Sequence, residues 1–271
     1  MDDCSGKDRA TEQRRELARW VEGIHSTFER LLDCKRWAPY SPNQRQTSAH
    51  HSISLTLLTA YCLEIERKAG KNKIDALMVM AHVPCHDFNE GTIGDVLYIF
   101  KHDPRIEKLY EQIELEETLA QMERLGFLAE FLRRAYCLPS ESVEARFFAA
   151  MERLDYALSA IFEIEVHGNS KNFLPILYRS HNDLMRYIEE FPSVAEVYSA
   201  EVRDWAEGMF KVNPWAKDGL GGRIKPLDDT GVESMVLALM HAVEKLAAGN
   251  SDPAAAKQRL LEKIKQAVEQ K

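Results

Sequence analysis

Apolar residues return every three or four positions through most of this chain, and that period decides which class of fold is open to it. Over residues 11 to 34 they fall at Leu17, Trp20, Val21, Ile24, Phe28, Leu31 and Leu32. Over 47 to 68 they fall at Ile53, Leu57, Leu58, Tyr61, Leu63 and Ile65. Such spacing lines one face of an α-helix. The same pattern predicts helices over 73–87, 105–125, 127–137, 142–167, 173–190, 194–211, 231–248 and 253–270. Period-two alternation of β-branched residues is absent, so no strand is predicted. The expectation is an all-α helical bundle.

Breakers divide that pattern. Two prolines, Pro39 and Pro42, mark a loop after the first helix. Pro84 sits late in the third helix and is expected to distort its last turn. A Gly-rich stretch at 213–223 and a helix stop and start at 249–253 read as joints, so the chain after about 212 reads as an appendage. Neither an internal repeat nor a low-complexity tract interrupts the helices.

The charge balance limits the partners. A net charge of −8 argues against a broad nucleic-acid face, so a small anionic substrate would need local cations or a metal. The five cysteines are scattered, odd in number and without a CxxC pair, as expected for reduced thiols in a cytoplasmic protein. Residues 1–8 are polar and acidic, which predicts no signal peptide. No apolar run approaches the ~20 residues that span a membrane.

One stretch is richer in functional side chains than the rest. His86-Asp87 follows an apolar helical run, with Glu90, Gly91, Gly94 and Asp95 close behind. Upstream lies His51, in Ser48-Ala49-His50-His51-Ser52; downstream lies Asp155, in Arg153-Leu154-Asp155-Tyr156. Two imidazoles and two carboxylates suit one divalent ion, with Mn, Co, Fe, Ni, Zn or Mg as candidates. His51, His86, Asp87 and Asp155 would come from three helices, so the bundle itself would form the cage. Glu90 and Asp95 remain as unligated acid–base groups, the layout of a metal-dependent phosphohydrolase. A lone histidine is more often a core residue, and a His-Asp dipeptide is a weak signal; the joint pattern carries the reading. His82, four residues before His86, reads as core or as support for the site. Glu163, Glu165 and His167 read as a solvated helix end, and 111–117 as a charged helix face. Phosphate-cradling GxxxxGK and GxGxxG signatures are absent.

The joint pattern resembles the HD-domain superfamily of metal-dependent phosphohydrolases, and within it the bacterial 5′-deoxynucleotidase branch. The matching elements are Arg36-Trp37, Ala49-His50-His51-Ser52, His86-Asp87-Phe88-Asn89-Glu90, Gly94-Asp95, Lys101 and Arg153-Leu154-Asp155, in that order. The resemblance implies an HD-type helical domain over 10–190 and leaves 191–271 as a helical extension of unknown role. It also implies hydrolysis of deoxyribonucleoside 5′-monophosphates, with Glu90 and Asp95 catalytic. Arg36 would grip the phosphate, Trp37 would exclude a 2′-hydroxyl, and Lys101 would assist substrate binding. The partner implied is a nucleotide, not a nucleic-acid polymer or a membrane; a homodimer stays open.

Three departures stand out. His50 occupies a position often acidic in the family, which sets two histidines side by side; His51 is preferred because Ser52 follows it. Ile93 stands where a threonine is usual, with Thr92 one place earlier. The chain also runs past the length of a compact member. Two alternatives remain: a dNTP phosphohydrolase, for which Lys217, Arg223 and Lys225 would supply cations, and a non-catalytic nucleotide-sensing or partner-binding module.

Overall fold

The computed structural model describes residues 4–218 apart from 38–41, 44–45, 97–100, 102 and 105, with residues 4–10 described as backbone only. The helices expected over 231–248 and 253–270, the joint at 249–253, and Arg223 and Lys225 lie outside the described residues.

The helices are α1 (Cys4–Asp33), α2 (Ser48–Ala69), α3 (Ala76–His82), α4 (Glu90–Ile93), α5 (Glu107–Glu123), α6 (Ala129–Tyr136), α7 (Val143–Glu165), α8 (Ser170–Leu184), α9 (Pro192–Val197) and α10 (Ala200–Val212). Short 3₁₀ turns occupy Val83–Cys85, Gly126–Leu128 and Pro214–Asp218. No strand occurs among the described residues; Lys35 and Thr47 form one isolated antiparallel bridge. No described helix is long and apolar enough to cross a membrane. The expected helix at 194–211 is two helices, because the backbone leaves the helical range at Tyr198 and restarts after Ser199.

The chain folds into two compact units that alternate along the sequence. The second takes Lys35–Pro84 and resumes at Ala135, and the first holds Met1–Cys34 and Cys85–Arg134. In the first unit α1 packs on α4 and on the 3₁₀ turn Gly126–Leu128. The buried line of α1 is Gly23, Thr27 and Leu31, while Leu17, Val21 and Leu32 are exposed, so the expected face is rotated. Close approach explains the rotation. A Cβ on Gly23 would lie 2.7 Å from the Arg124 carbonyl oxygen, and one on Gly91 would lie 3.0 Å from Arg30 Cβ. Gly91 therefore serves a helix crossing rather than a helix end. Thr27 donates its hydroxyl to Gln121 on α5 at 3.3 Å.

In the second unit the long helices α7 and α8 pack along one another. Phe147, Met151, Leu154, Phe173, Leu174 and Leu177 are buried in this unit. Helix α2 buries Ser48, Ser52, Leu55, Thr59, Cys62 and Glu66, at strict three- and four-residue spacing. Its greasy side, Ile53, Leu57 and Tyr61, is 55%, 68% and 57% exposed. The period is the expected one and the phase is not: the helix turns a small and polar edge inward. Glu66 shows how that edge is satisfied, accepting from Ser193 N at 2.8 Å, from Ser193 Oγ at 2.7 Å and from Asn72 Nδ2 at 3.1 Å. Helices α9 and α10, beyond residue 191, pack on α2, α7 and α8 in this same unit.

Candidate active site

The second unit supplies one imidazole–carboxylate pair. Thr47 caps α2, its hydroxyl oxygen accepting from His50 N at 3.3 Å. Neighbouring helical residues point about 100° apart, so His50 and His51 diverge. His50 is exposed, its Nδ1 2.8 Å from Thr47 Oγ1. His51 is buried, its Nδ1 2.8 Å from Oδ2 of Asp155 on α7. Ser54 Oγ donates to the other oxygen, Oδ1, at 3.4 Å. A carboxylate at Nδ1 favours the proton there, which leaves Nε2 as a lone-pair donor.

Arg36 and Trp37 belong to the same unit. The Lys35–Thr47 bridge and a bond from Arg36 N to Gln46 O, 3.0 Å, tie them to the start of α2. Trp37 has φ 58°, a left-handed backbone that is uncommon for a bulky residue. Its ring meets Tyr156 edge-on at 5.5 Å and Phe173 at 6.0 Å. Arg36 is only 5% exposed, so it is no surface cation, and its guanidinium carbon lies 5.7 Å from the Trp37 ring and 5.8 Å from that of Tyr156.

The first unit supplies the other pair. Pro84 tightens the chain after α3 into a 3₁₀ turn, and a further turn follows, with Phe88 N on Cys85 O at 3.2 Å and Glu90 N on Asp87 O at 2.9 Å. His86 Nε2 lies 3.1 Å from Asp87 Oδ2. Beside them Cys85 is buried, which pushes its thiol up to about 12 and keeps it protonated at neutral pH. Glu90 opens α4 and is 3% exposed. Lys101 Nζ lies 3.9 Å from Oε1 of Glu90 and 3.9 Å from Oε1 of Glu114, above the Tyr110 ring. Burial works against the Lys101 charge, but Tyr110, Glu90, Glu114 and Asp87 outweigh it and hold the ammonium well above its ordinary value. Asp95 is half-buried and follows Gly94, whose φ of 88° suits glycine.

Helix α5 braces this loop from behind. Asn89 Nδ2 donates to Glu114 Oε1 at 2.9 Å and Thr92 Oγ1 to Glu117 Oε1 at 2.7 Å. Gln121 donates to the same Glu117 oxygen. Glu117 is wholly buried, and its Oε2 has no hydrogen-bond partner among the described residues. Burial raises its carboxyl above the usual range, with the bonds from Gln121 and Thr92 working the other way. The charged-face reading of 111–117 missed this, although Glu114, Glu117 and Gln121 share one helix face by their spacing. Glu163 likewise is not solvated: it is buried and accepts from Asn43 N at 3.1 Å. His82 stacks on Tyr136 and meets the Ala135 carbonyl oxygen at 2.8 Å, a structural role.

The solved structure of an HD-domain phosphohydrolase from Listeria innocua is similar to this chain, with a TM-score of 0.56 and 15% identity over 80% of this chain and 98% of that one. At that identity the likeness concerns the fold alone, and the fold is that of the HD-domain phosphohydrolases. No curated protein matches the chain. The family described as 5′-deoxynucleotidase YfbR-like matches residues 25–199, a span that holds both imidazole–carboxylate pairs, Glu90, Asp95 and the Arg36-Trp37 turn. With that match across more than half of its length, the chain belongs to the YfbR-like 5′-deoxynucleotidase family and is a phosphohydrolase of the HD type.

Proposed function

We propose that the chain releases orthophosphate from deoxyribonucleoside 5′-monophosphates, with one divalent ion held by His51, His86, Asp87 and Asp155. The observation that carries this reading is the family match across residues 25–199. The donor chemistry supports it: two imidazoles and two carboxylates suit a divalent ion, and each unit supplies one such pair, His51 with Asp155 and His86 with Asp87. His86 Nε2 and Asp87 Oδ2 lie 3.1 Å apart, close enough for both to bind one ion. A divalent ion held there supplies a water of lowered pKa and neutralises phosphate charge.

The remaining steps fall to the chain's own side chains. Glu90 takes the proton of the attacking water, with the Lys101 ammonium 3.9 Å from its Oε1. Asp95 delivers a proton to the leaving 5′ oxygen. Arg36 binds the phosphate through its planar fork, and its burial between two aromatic rings strengthens that charge contact. Trp37 closes against the sugar, where a 2′-hydroxyl would clash or lie unpaired, and Lys101 adds a cation toward the substrate. The partner in this reading is a small nucleotide in the cytoplasm, not a nucleic-acid polymer or a membrane.

Phosphate release from dAMP, dUMP and dGMP beside AMP, UMP and GMP, on protein loaded with Mn, Co, Fe, Ni, Zn or Mg in turn, tests it. Higher kcat/KM in the deoxy series is expected, and equal values would overturn the sugar discrimination. Chelation should abolish turnover, and His51→Asn should lose the metal. Pyrophosphate or triphosphate released from a dNTP would instead favour the triphosphate reading.

A further inference from the structure

Tyr156 follows Asp155 on α7, and so far it has entered only as one of the two rings beside Arg36. Its ring is where the functional groups of the second unit meet. The His51 imidazole stacks on it, centroids 5.9 Å apart and planes 28° from parallel. Trp37 meets it at 5.5 Å with an interplanar angle of 80°. The guanidinium carbon of Arg36 lies 5.8 Å from its centroid and that of Arg153 5.4 Å. The ring is itself fixed. Its hydroxyl donates to Glu152 Oε1 at 2.7 Å, one turn back on the same helix. Arg153 is anchored in turn by Asp183 of α8 at 3.2 Å.

These contacts remove freedoms that hydrogen bonds leave. A bond from Nδ1 to Asp155 fixes one point of the His51 ring, but the ring can still swing about that point. A stacked neighbour limits the swing and so fixes where Nε2 points. Arg36 has the same problem on a longer side chain, and attraction to two aromatic faces confines its fork. We propose that Tyr156 is a positioning residue that sets the His51 imidazole and the Arg36 guanidinium in one arrangement. It touches neither the reacting atoms nor the ion, and its hydroxyl is committed to Glu152, so the ring and not the phenol acts. The proposal rests on the assignment of His51 to the metal and of Arg36 to the phosphate.

The test compares Tyr156→Leu, Tyr156→Met and Tyr156→Phe in the full chain. Three quantities are read: Mn²⁺ affinity by calorimetry, KM and kcat for dAMP, and the NMR signals of the His51 imidazole and the Trp37 indole in metal-free protein. Tyr156→Phe should match the wild type in all three. Tyr156→Leu should weaken Mn²⁺ binding by about 10- to 100-fold, the usual scale for groups that orient a ligand. It should also raise KM for dAMP more than it lowers kcat at saturating Mn²⁺, and shift both NMR signals. Tyr156→Met, closer in length and still without a ring, should do the same if the Leu variant fails to fold. Unchanged Mn²⁺ affinity and unchanged NMR signals in the Leu or Met variant, with only a lower Tm, would make Tyr156 a packing residue and end the proposal. Equal losses in the Phe variant would end it too, by assigning the effect to the hydroxyl. If the wild-type chain neither binds Mn²⁺ nor hydrolyses dAMP, the functional reading fails separately, and the metal-free NMR comparison still decides whether Tyr156 positions the two side chains.

Discussion

At the scale of single residues, one tight turn separates the proposed donor pair His86-Asp87 from the proposed base Glu90. Asp87 and Glu90 are the first and last residues of a tight turn, joined by the bond from Glu90 N to Asp87 O. Their side chains nevertheless keep different company: Asp87 faces His86, and Glu90 faces Lys101. Glu90→Ala should therefore keep its metal and lower kcat by about 10²-fold or more, the usual scale for a positioned proton acceptor. Metal analysis beside steady-state kinetics checks both halves, and metal lost with the carboxylate would make Glu90 a ligand. Lys101 provides a second handle. Its ammonium is held charged among carboxylates, so Lys101→Met leaves Glu90 and Glu114 without that cation. Two carboxylates left without their cation resist ionisation. A base must be deprotonated to act, so the acid limb of the kcat/KM profile should move to higher pH. A limb that stays in place would dissociate Lys101 from the chemistry.

At the scale of elements, period and phase were unequally legible. The three- and four-residue period is a local property, and the order of residues alone marks out α1, α2 and α7. Phase depends on what each face meets. Helix α2 turns Ser48, Ser52, Thr59 and Glu66 inward because His51 shares their edge and Ser193 satisfies Glu66. That partner lies far along the chain, so an apolar count picks the wrong side. The same holds for α5, where Glu114 and Glu117 read as solvated charge and instead brace the loop through Asn89 and Thr92. The Ile93-for-threonine departure falls beside this brace: it is Thr92 that carries the hydroxyl into Glu117. Glu117 also makes a pH prediction. Its carboxyl is raised by burial above the ordinary 4.5, so the folded state prefers it neutral. Its contribution to stability is full below the ordinary value and is lost as pH rises through the raised one. Glu117→Gln cannot ionise and keeps an oxygen for Thr92. Relative to the wild type it should gain Tm as pH climbs above 4.5, with little difference below. A constant difference between the two Tm curves would show that burial does not raise the Glu117 carboxyl.

At the scale of the whole molecule, the all-α class and the HD-type fold were legible in period and motif order, whereas the alternation of the chain between two compact units was not. Segments that exchange partners over long sequence distances leave no local mark. We keep as a proposal the division into a domain over 10–190 and an extension over 191–271. The first stretch of that extension, however, is stitched to the core by the Glu66 carboxylate, which accepts two hydrogen bonds from Ser193 and one from Asn72 among the described residues. This bears on where the protein can be cut. A chain ended at residue 190 would lose both Ser193 donors to this carboxylate, and hydrogen bonds to a charged group are worth roughly 1.5–3 kcal/mol each. A chain ended at residue 199 would retain Ser193 together with the buried Val194 and Tyr198. Of two such truncations, the longer should melt at the higher temperature and resist protease longer, with Glu66→Gln narrowing the gap. The practical boundary of the folded domain is then set by one buried carboxylate rather than by the last turn of a helix.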